Sequence, residues 1–299
     1  MTMLLLAGGF VVARALRTTT TEISASEAIE RFESSSATAA DGYGSTPESA
    51  APAAEAASGD AASAIADSTT ATDTEESAAE PTATDSEETA AEPTADEIEA
   101  APLALPLPEP GVYPIALTGS EQLALATGAD RTYPAEGFVT VTPAACGVDV
   151  RTDLIVERWQ SIEFCETEGG VELGTERIFH SFFGQDDLLE RECAASPLSV
   201  EASAWLCESS SSIADRSVTA EFAVREVAGE RRDVVVFVTE LVQGDHPDNV
   251  ESIEFWVDVE TGLPVYESRI YDFVLDTPLG DAGYTEDYVW EITSLESIG

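Results

Sequence analysis

The sequence predicts a mainly β (α+β) domain at its C-terminal end, built as a curved antiparallel sheet or partial barrel with a few covering helices. Three observations predict it. Residues 217–292 carry consecutive period-two apolar patterns separated by short turns. Residues 34–110 hold few large apolar side chains. All four cysteines lie in the C-terminal half.

The chain opens on an unbroken apolar run, Leu4 to Ala13, which ends at Arg14 and Arg17. A helix crossing a bilayer needs about 20 apolar residues, so this run is short for a span. No basic residue precedes it, as one would in a secretory signal. Its trailing arginines point the rest of the chain inward by the positive-inside rule. The cysteines point the other way, to an oxidising compartment. They carry more weight, and residues 1–17 are expected to be an anchor or signal-like segment whose true start lies upstream. The expected location is the cell membrane, single-pass, with the C-terminal domain extracytoplasmic. A short buried segment of a soluble protein is the alternative.

Residues 18–33 are expected to form a short juxtamembrane helix. Ser24 and Glu27 have capping-box spacing, and Ile29 with Phe32 gives a narrow apolar face.

Residues 34–110 read as an acidic disordered linker. No basic residue occurs between Glu33 and Asp130, and Tyr43 is the one aromatic residue of the segment. Such a composition buries too little apolar area to offset the entropy of ordering. Residues 71–82 (ATDTEESAAEPT) recur as 83–94 (ATDSEETAAEPT), a low-complexity duplication. Like charges extend such a chain, and its expected role is reach.

Residues 111–299 are the expected folded domain, β-rich and disulfide-bearing. Alternation marks strands at 137–142, 217–225, 232–242, 252–258, 263–273 and 284–292. The cover for the apolar face is expected from 145–210, with Asp186 to Arg191 helical. The curved sheet has either a ligand cavity or a filled interior.

Cys146, Cys165, Cys193 and Cys207 form no C-x-x-C pair, and the chain has 2 histidines. Disulfides fit better than a metal site. Three pairings are open; Cys146–Cys165 and Cys193–Cys207 are favoured as the local ones. Four free thiols in a cytosolic protein are the alternative.

Trp256 to Val265 reads WVDVETGLPV, with Thr261, Gly262, Leu263 and Pro264 as its turn. This pattern resembles envelope proteins with the fold of lipoprotein-localisation carriers and lipid-carrier lipoproteins. Tyr284 to Tyr288 and Thr293 to Glu296 resemble the closing strand of uncharacterised actinobacterial-type membrane-anchored proteins. The resemblance implies a curved sheet over helices with an apolar cavity. The chain departs from the carriers in having no lipobox cysteine near its N-terminus.

The net charge is −45, and all 13 basic residues are arginine. A chain this acidic is repelled by nucleic-acid phosphates, so nucleic acid is not an expected partner. His180, on the strand face opposite Phe179, and His246, between Asp245 and Pro247, read as structural or surface residues. The acidic stretch from Asp276 to Asp287 lacks EF-hand spacing. Trp159, Trp205, Trp256 and Trp290 read as core or sheet-face residues. No catalytic motif, metal-ligand spacing or cofactor signature is present.

The expected partners are the cell membrane through the N-terminus and an apolar ligand or an envelope protein. The expected function is non-enzymatic: a tethered module that binds a lipid or other apolar ligand, or else a structural or sensory domain working by protein contacts.

Overall fold

A computed structural model describes residues 20–42, 105–124, 129–194, 196–277 and 280–299. The N-terminal apolar run and the duplicated segment lie outside them. The described part has one helix, α1 (Ala25–Gly42), and thirteen strands. These are β1 (Gly111–Ala124), β2 (Ala129–Thr132), β3 (Glu136–Pro143), β4 (Gly147–Ile155), β5 (Arg158–Thr167), β6 (Gly170–Phe182) and β7 (Gln185–Ala194). They continue as β8 (Ala204–Glu208), β9 (Ile213–Val227), β10 (Glu230–Gln243), β11 (Val250–Asp258), β12 (Pro264–Thr277) and β13 (Gly280–Ile292).

The strands form an antiparallel meander that closes on itself. β1 pairs with β13 from Ile115↔Ile292 to Ala124↔Gly283. On its other edge, β1 pairs with β3 through Gly111 to Ala116 and with β2 through Ser120 to Leu123. β2 and β3 therefore share one place in the wall, giving a barrel of twelve wall positions. Closure explains why the expected helical cover is absent from the described residues. A sheet closed into a barrel buries its apolar face against itself.

Residues 145–210 accordingly belong to the wall, and Asp186 to Arg191 lies in β7 rather than in a helix. The helix-favouring composition there is overridden by the ladder to β6, which runs from Thr175↔Glu192 to Phe182↔Gln185.

α1 begins with the expected capping box. Ser24 Oγ accepts from Glu27 N at 3.3 Å, and Glu27 Oε2 accepts from Ser24 N at 2.9 Å. The helix runs to Gly42, past the expected end at residue 33. Its apolar face is seated on the outside of the barrel, where Ile23 and Ala28 pack with Val112 and Phe138. Just before it, Thr21 Oγ1 donates to Glu157 at 2.6 Å and Thr21 O accepts from Val156 N at 3.0 Å.

This seating changes the role of the acidic segment. α1 ends at Gly42 and the next described residue, Leu105, is buried in the core. Residues 43–104 thus connect two parts of the same body. The span between the N-terminal apolar run and the barrel is the short stretch 14–20.

The Thr261–Pro264 turn is where the chain returns. Asp258 Oδ1 accepts from Thr261 N and Oγ1, both at 2.8 Å, and Arg232 grips the same carboxylate at 2.8 and 3.1 Å. Gly262 has φ +69°, and a Cβ there would lie 1.8 Å from Pro106 O. Both backbone conformation and close approach require glycine.

Candidate ligand site inside the barrel

Alternation along each strand decides what lines the barrel. The half nearer the 259–263 turn is apolar, with Val139, Val150, Phe164, Phe237, Val265 and Trp290 among its buried side chains. The opposite rim is closed by Leu123, Tyr271, Ala282 and Tyr284, with Phe182, Phe183 and Phe273 against them. Between these layers lies a charged belt.

Among the described residues five arginines are buried: Arg131, Arg158, Arg191, Arg216 and Arg269. They meet five buried glutamates: Glu121, Glu176, Glu251, Glu267 and Glu286. Arg158 spans the barrel from β5 to β13, with Nε and Nη2 at 2.9 and 2.8 Å from the two Glu286 oxygens. Arg131 meets Glu121 at 2.6 Å. Arg216 sits between Glu251 at 2.6 Å and Glu176 at 2.9 Å, and Arg191 reaches Glu176 at 3.2 Å. Arg269 lies 3.1 Å from Glu267 and bonds Gln160.

Tyrosines complete the belt. Tyr284 donates to Glu121 at 2.9 Å, Tyr288 to Glu267 at 2.7 Å, and Tyr133 to Glu286. Isolated charges would not tolerate this burial; equal numbers of opposite sign, each hydrogen-bonded, do.

The belt sets the ionisation of its members. Burial works to raise Glu176, but Arg216 and Arg191 bring its pKa down to about 2. Glu121 goes up, because burial outweighs Arg131 and Arg158. His180 is pushed down to about 3 by burial and by the Arg158 charge. It is a neutral ring, edge-on to Tyr284 at 5.0 Å. It lies on the strand face opposite Phe179, which stacks on Trp159.

At the seam between the apolar layer and the belt lies a cavity of about 80 Å³. Phe164, Trp205, Phe255 and Trp290 face it from the apolar side; Gln160, Arg216, Glu267 and Arg269 face it from the polar side. Trp290 is 1% exposed, and its Nε1 has no hydrogen-bond partner. A buried donor without an acceptor costs free energy.

The residues singled out from sequence fall in different places. Cys146 pairs with Cys165 and Cys193 with Cys207, the two local pairings. The first joins the turn just before β4 to β5; the second fastens β7 to β8, which share only the pairs from Glu192↔Glu208 to Ala194↔Leu206. Among the described residues, the one cluster of metal-ligating types is Cys146, Cys165 and Glu163, and those thiols are joined to each other. Trp205 and Trp290 reach the cavity; Trp256 stacks on Tyr266 at 4.0 Å, and Trp159 lies under Arg151. His246 is in a surface turn, accepting from Asp248 N at 3.2 Å. The stretch from Asp276 to Asp287 lies partly outside the described residues.

The belt itself was missed in the sequence. The available signal was the position of arginine and glutamate at inward places of alternating strands, as in Arg216 and Val218. No protein-family model, curated protein or solved structure matches the chain.

Proposed function

We propose that this barrel is a non-enzymatic, extracytoplasmic binding module for a small amphipathic molecule carrying a hydrogen-bond acceptor. The observation that carries the reading is the cavity at the seam. It offers an aromatic wall to an apolar body and a polar wall to a head group, with Trp290 Nε1 free to donate. Its volume of about 80 Å³ is well below the roughly 300–1,000 Å³ of sites for drug-sized ligands. That space favours a compact ligand over a long acyl chain. The two disulfides support an oxidising compartment. Membrane attachment through the N-terminal apolar run is part of the same proposal, with the barrel held close to the bilayer by residues 14–20.

Native mass spectrometry of the full chain, followed by denaturation, tests this reading. A small organic molecule released on unfolding is expected. Release of long-chain lipid alone would overturn the size argument.

A second reading is a structural or sensory domain acting by protein contacts. Phe222, at 54% exposure, and Val224, at 49%, favour it, because they are apolar and open to solvent on one strand.

A further inference from the structure

β9 is incompletely covered. On one edge it pairs with β10 from Glu230↔Val227 to Gln243↔Asp215. On the other edge β8 reaches only from Ile213 to Ser217. The last backbone bond on that side is Val218 N to Ser203 O at 3.0 Å. From Thr219 to Val227, no strand among the described residues pairs with this edge.

The turn fixes which groups point outward. Ala228 and Gly229 have φ +50° and +80°, a two-residue turn of the left-handed kind. Val227 and Glu230 close it as a hydrogen-bonded pair, and such pairs alternate along the ladder. Residues 219, 221, 223, 225 and 227 therefore bond β10. Ala220, Phe222, Val224 and Glu226 direct their N–H and C=O groups to the open side. Among the described residues, the hydrogen bond made there is from Arg225 Nη1 to Val224 O of its own strand, at 3.4 Å. An open edge with exposed apolar side chains is a template for strand addition.

We infer that this edge pairs antiparallel with the same edge of a second copy, about a two-fold axis at Ala223. The side chains select that register. Phe222 then lies opposite Val224 of the second copy, joining the two exposed apolar residues on one face. Glu221 lies opposite Arg225 on the other face, an ion pair formed twice by symmetry. An axis at Phe222 would place Glu221 against Ala223 and leave Arg225 against Thr219. An axis at Val224 would place Phe222 against Glu226. Both lose the ion pair and the apolar pair together. The axis at Ala223 also falls on a non-hydrogen-bonded pair flanked by outward-pointing residues, as antiparallel pairing requires.

The hairpin suits self-association in another way. Each copy carries net charge −45, so most faces repel. Four of the 13 arginines lie on this hairpin: Arg216 is in the buried belt, while Arg225, Arg231 and Arg232 lie near the turn and offset Glu226, Glu230 and Asp233 there. At ionic strength of 0.15 M and above, the remaining repulsion is screened beyond about 8 Å.

Sedimentation velocity of the full chain over a concentration series tests the inference. A reversible monomer–dimer equilibrium is expected. Glu221→Arg alone and Arg225→Glu alone should each weaken dimerisation at least about tenfold, since each sets like charges opposite one another. Mixing the two variants should restore a heterodimer, because every pair is then complementary. Ala223→Cys adds the one free thiol to a chain whose described cysteines are all paired. The two sulfurs would face each other across Cα atoms about 4.5 Å apart, within disulfide reach. Oxidation should give a covalent dimer, while Glu221→Cys should not. A wild type monomeric at every concentration would overturn the inference. So would charge variants that dimerise normally, or a mixture that stays monomeric. Circular dichroism of each variant shows whether the fold is kept.

Discussion

Arg158 and Glu286 face each other across the barrel interior in a two-point grip, at 2.9 and 2.8 Å, with both side chains wholly buried. They are 128 residues apart in the chain. The pair ties β5 to β13, the strand that closes the barrel on β1. Removing one partner leaves the other charge buried and alone, at a cost of about 3–5 kcal/mol. Glu286→Gln is therefore expected to lower unfolding free energy by about that amount in urea titrations. Joint replacement with Arg158→Met and Glu286→Leu should recover much of the loss. Equal losses in the single and double variants would show that the pair does not act as a unit.

Acid should destabilise the barrel before the carboxylates titrate. His180 has its folded pKa down at about 3 through burial and the Arg158 charge, against about 6.5 when unfolded. Between those values the unfolded chain binds the extra proton, so stability falls as pH drops. Glu176 acts in the same sense lower down. Burial opposes its charge, Arg216 and Arg191 favour it, and its folded pKa is about 2. Its contribution is present above its ordinary value of 4.5 and is lost toward 2. Glu121, raised by burial, acts in the opposite direction. Comparing urea titrations of the wild type and a His180 variant between about pH 7 and about pH 5 separates the histidine from the opposing Glu121. His180→Leu should flatten the slope in that window; an unchanged slope would assign the loss elsewhere.

Gly262 meets two demands at once. Its φ of +69° disfavours any side chain, and Pro106 O occupies the place of a Cβ. Gly262→Ala should cost at least about 1 kcal/mol for the backbone conformation, and more for displacing the returning chain. Hydrogen exchange near Leu105 and Leu107 should rise with it. Normal exchange there alongside full stability would mean that the close approach is not maintained.

The Cys193–Cys207 disulfide fastens the least-paired junction in the wall. It closes a loop of 14 residues, for which chain entropy predicts about 3 kcal/mol. Replacing both cysteines by serine should lower stability by that order and should raise amide exchange first in β7 and β8. Uniform exchange across the barrel would contradict a local role.

Much of the frame was legible because local signals are strong. Ser24 and Glu27 mark the helix start by chemistry contained in four residues. The hairpins from β9 to β13 carry long β-prone runs between short turns, and Thr261-Gly262 marks its own turn. The sequence was least legible where inward positions are polar. Arg158 and Gln160 in β5, Glu176 in β6 and Arg191 in β7 interrupt the apolar period, so these strands read as cover. Phe222 and Ile270, apolar yet 54% and 50% exposed, blur it from the other side. Barrel closure depends on β1 meeting β13, a contact with no local signature. The seat of α1 is similar: Ala28 is buried in a cluster with Val112 and Phe138, which lie far from it in the chain. The candidate cavity was illegible for the same reason, since Gln160, Arg216 and Trp290 come from three separated strands.

The reading of the barrel as a small-molecule binder is tested most directly by titrating the full chain with straight-chain alcohols and carboxylates of increasing length. Emission from Trp205 and Trp290, which line the cavity, reports occupancy. Saturable binding is predicted for the short members and should be lost as chains outgrow the cavity. Ile253→Trp, which fills the space, should abolish it while leaving the fold intact. Failure of every member to bind, or binding unaffected by Ile253→Trp, would contradict the account.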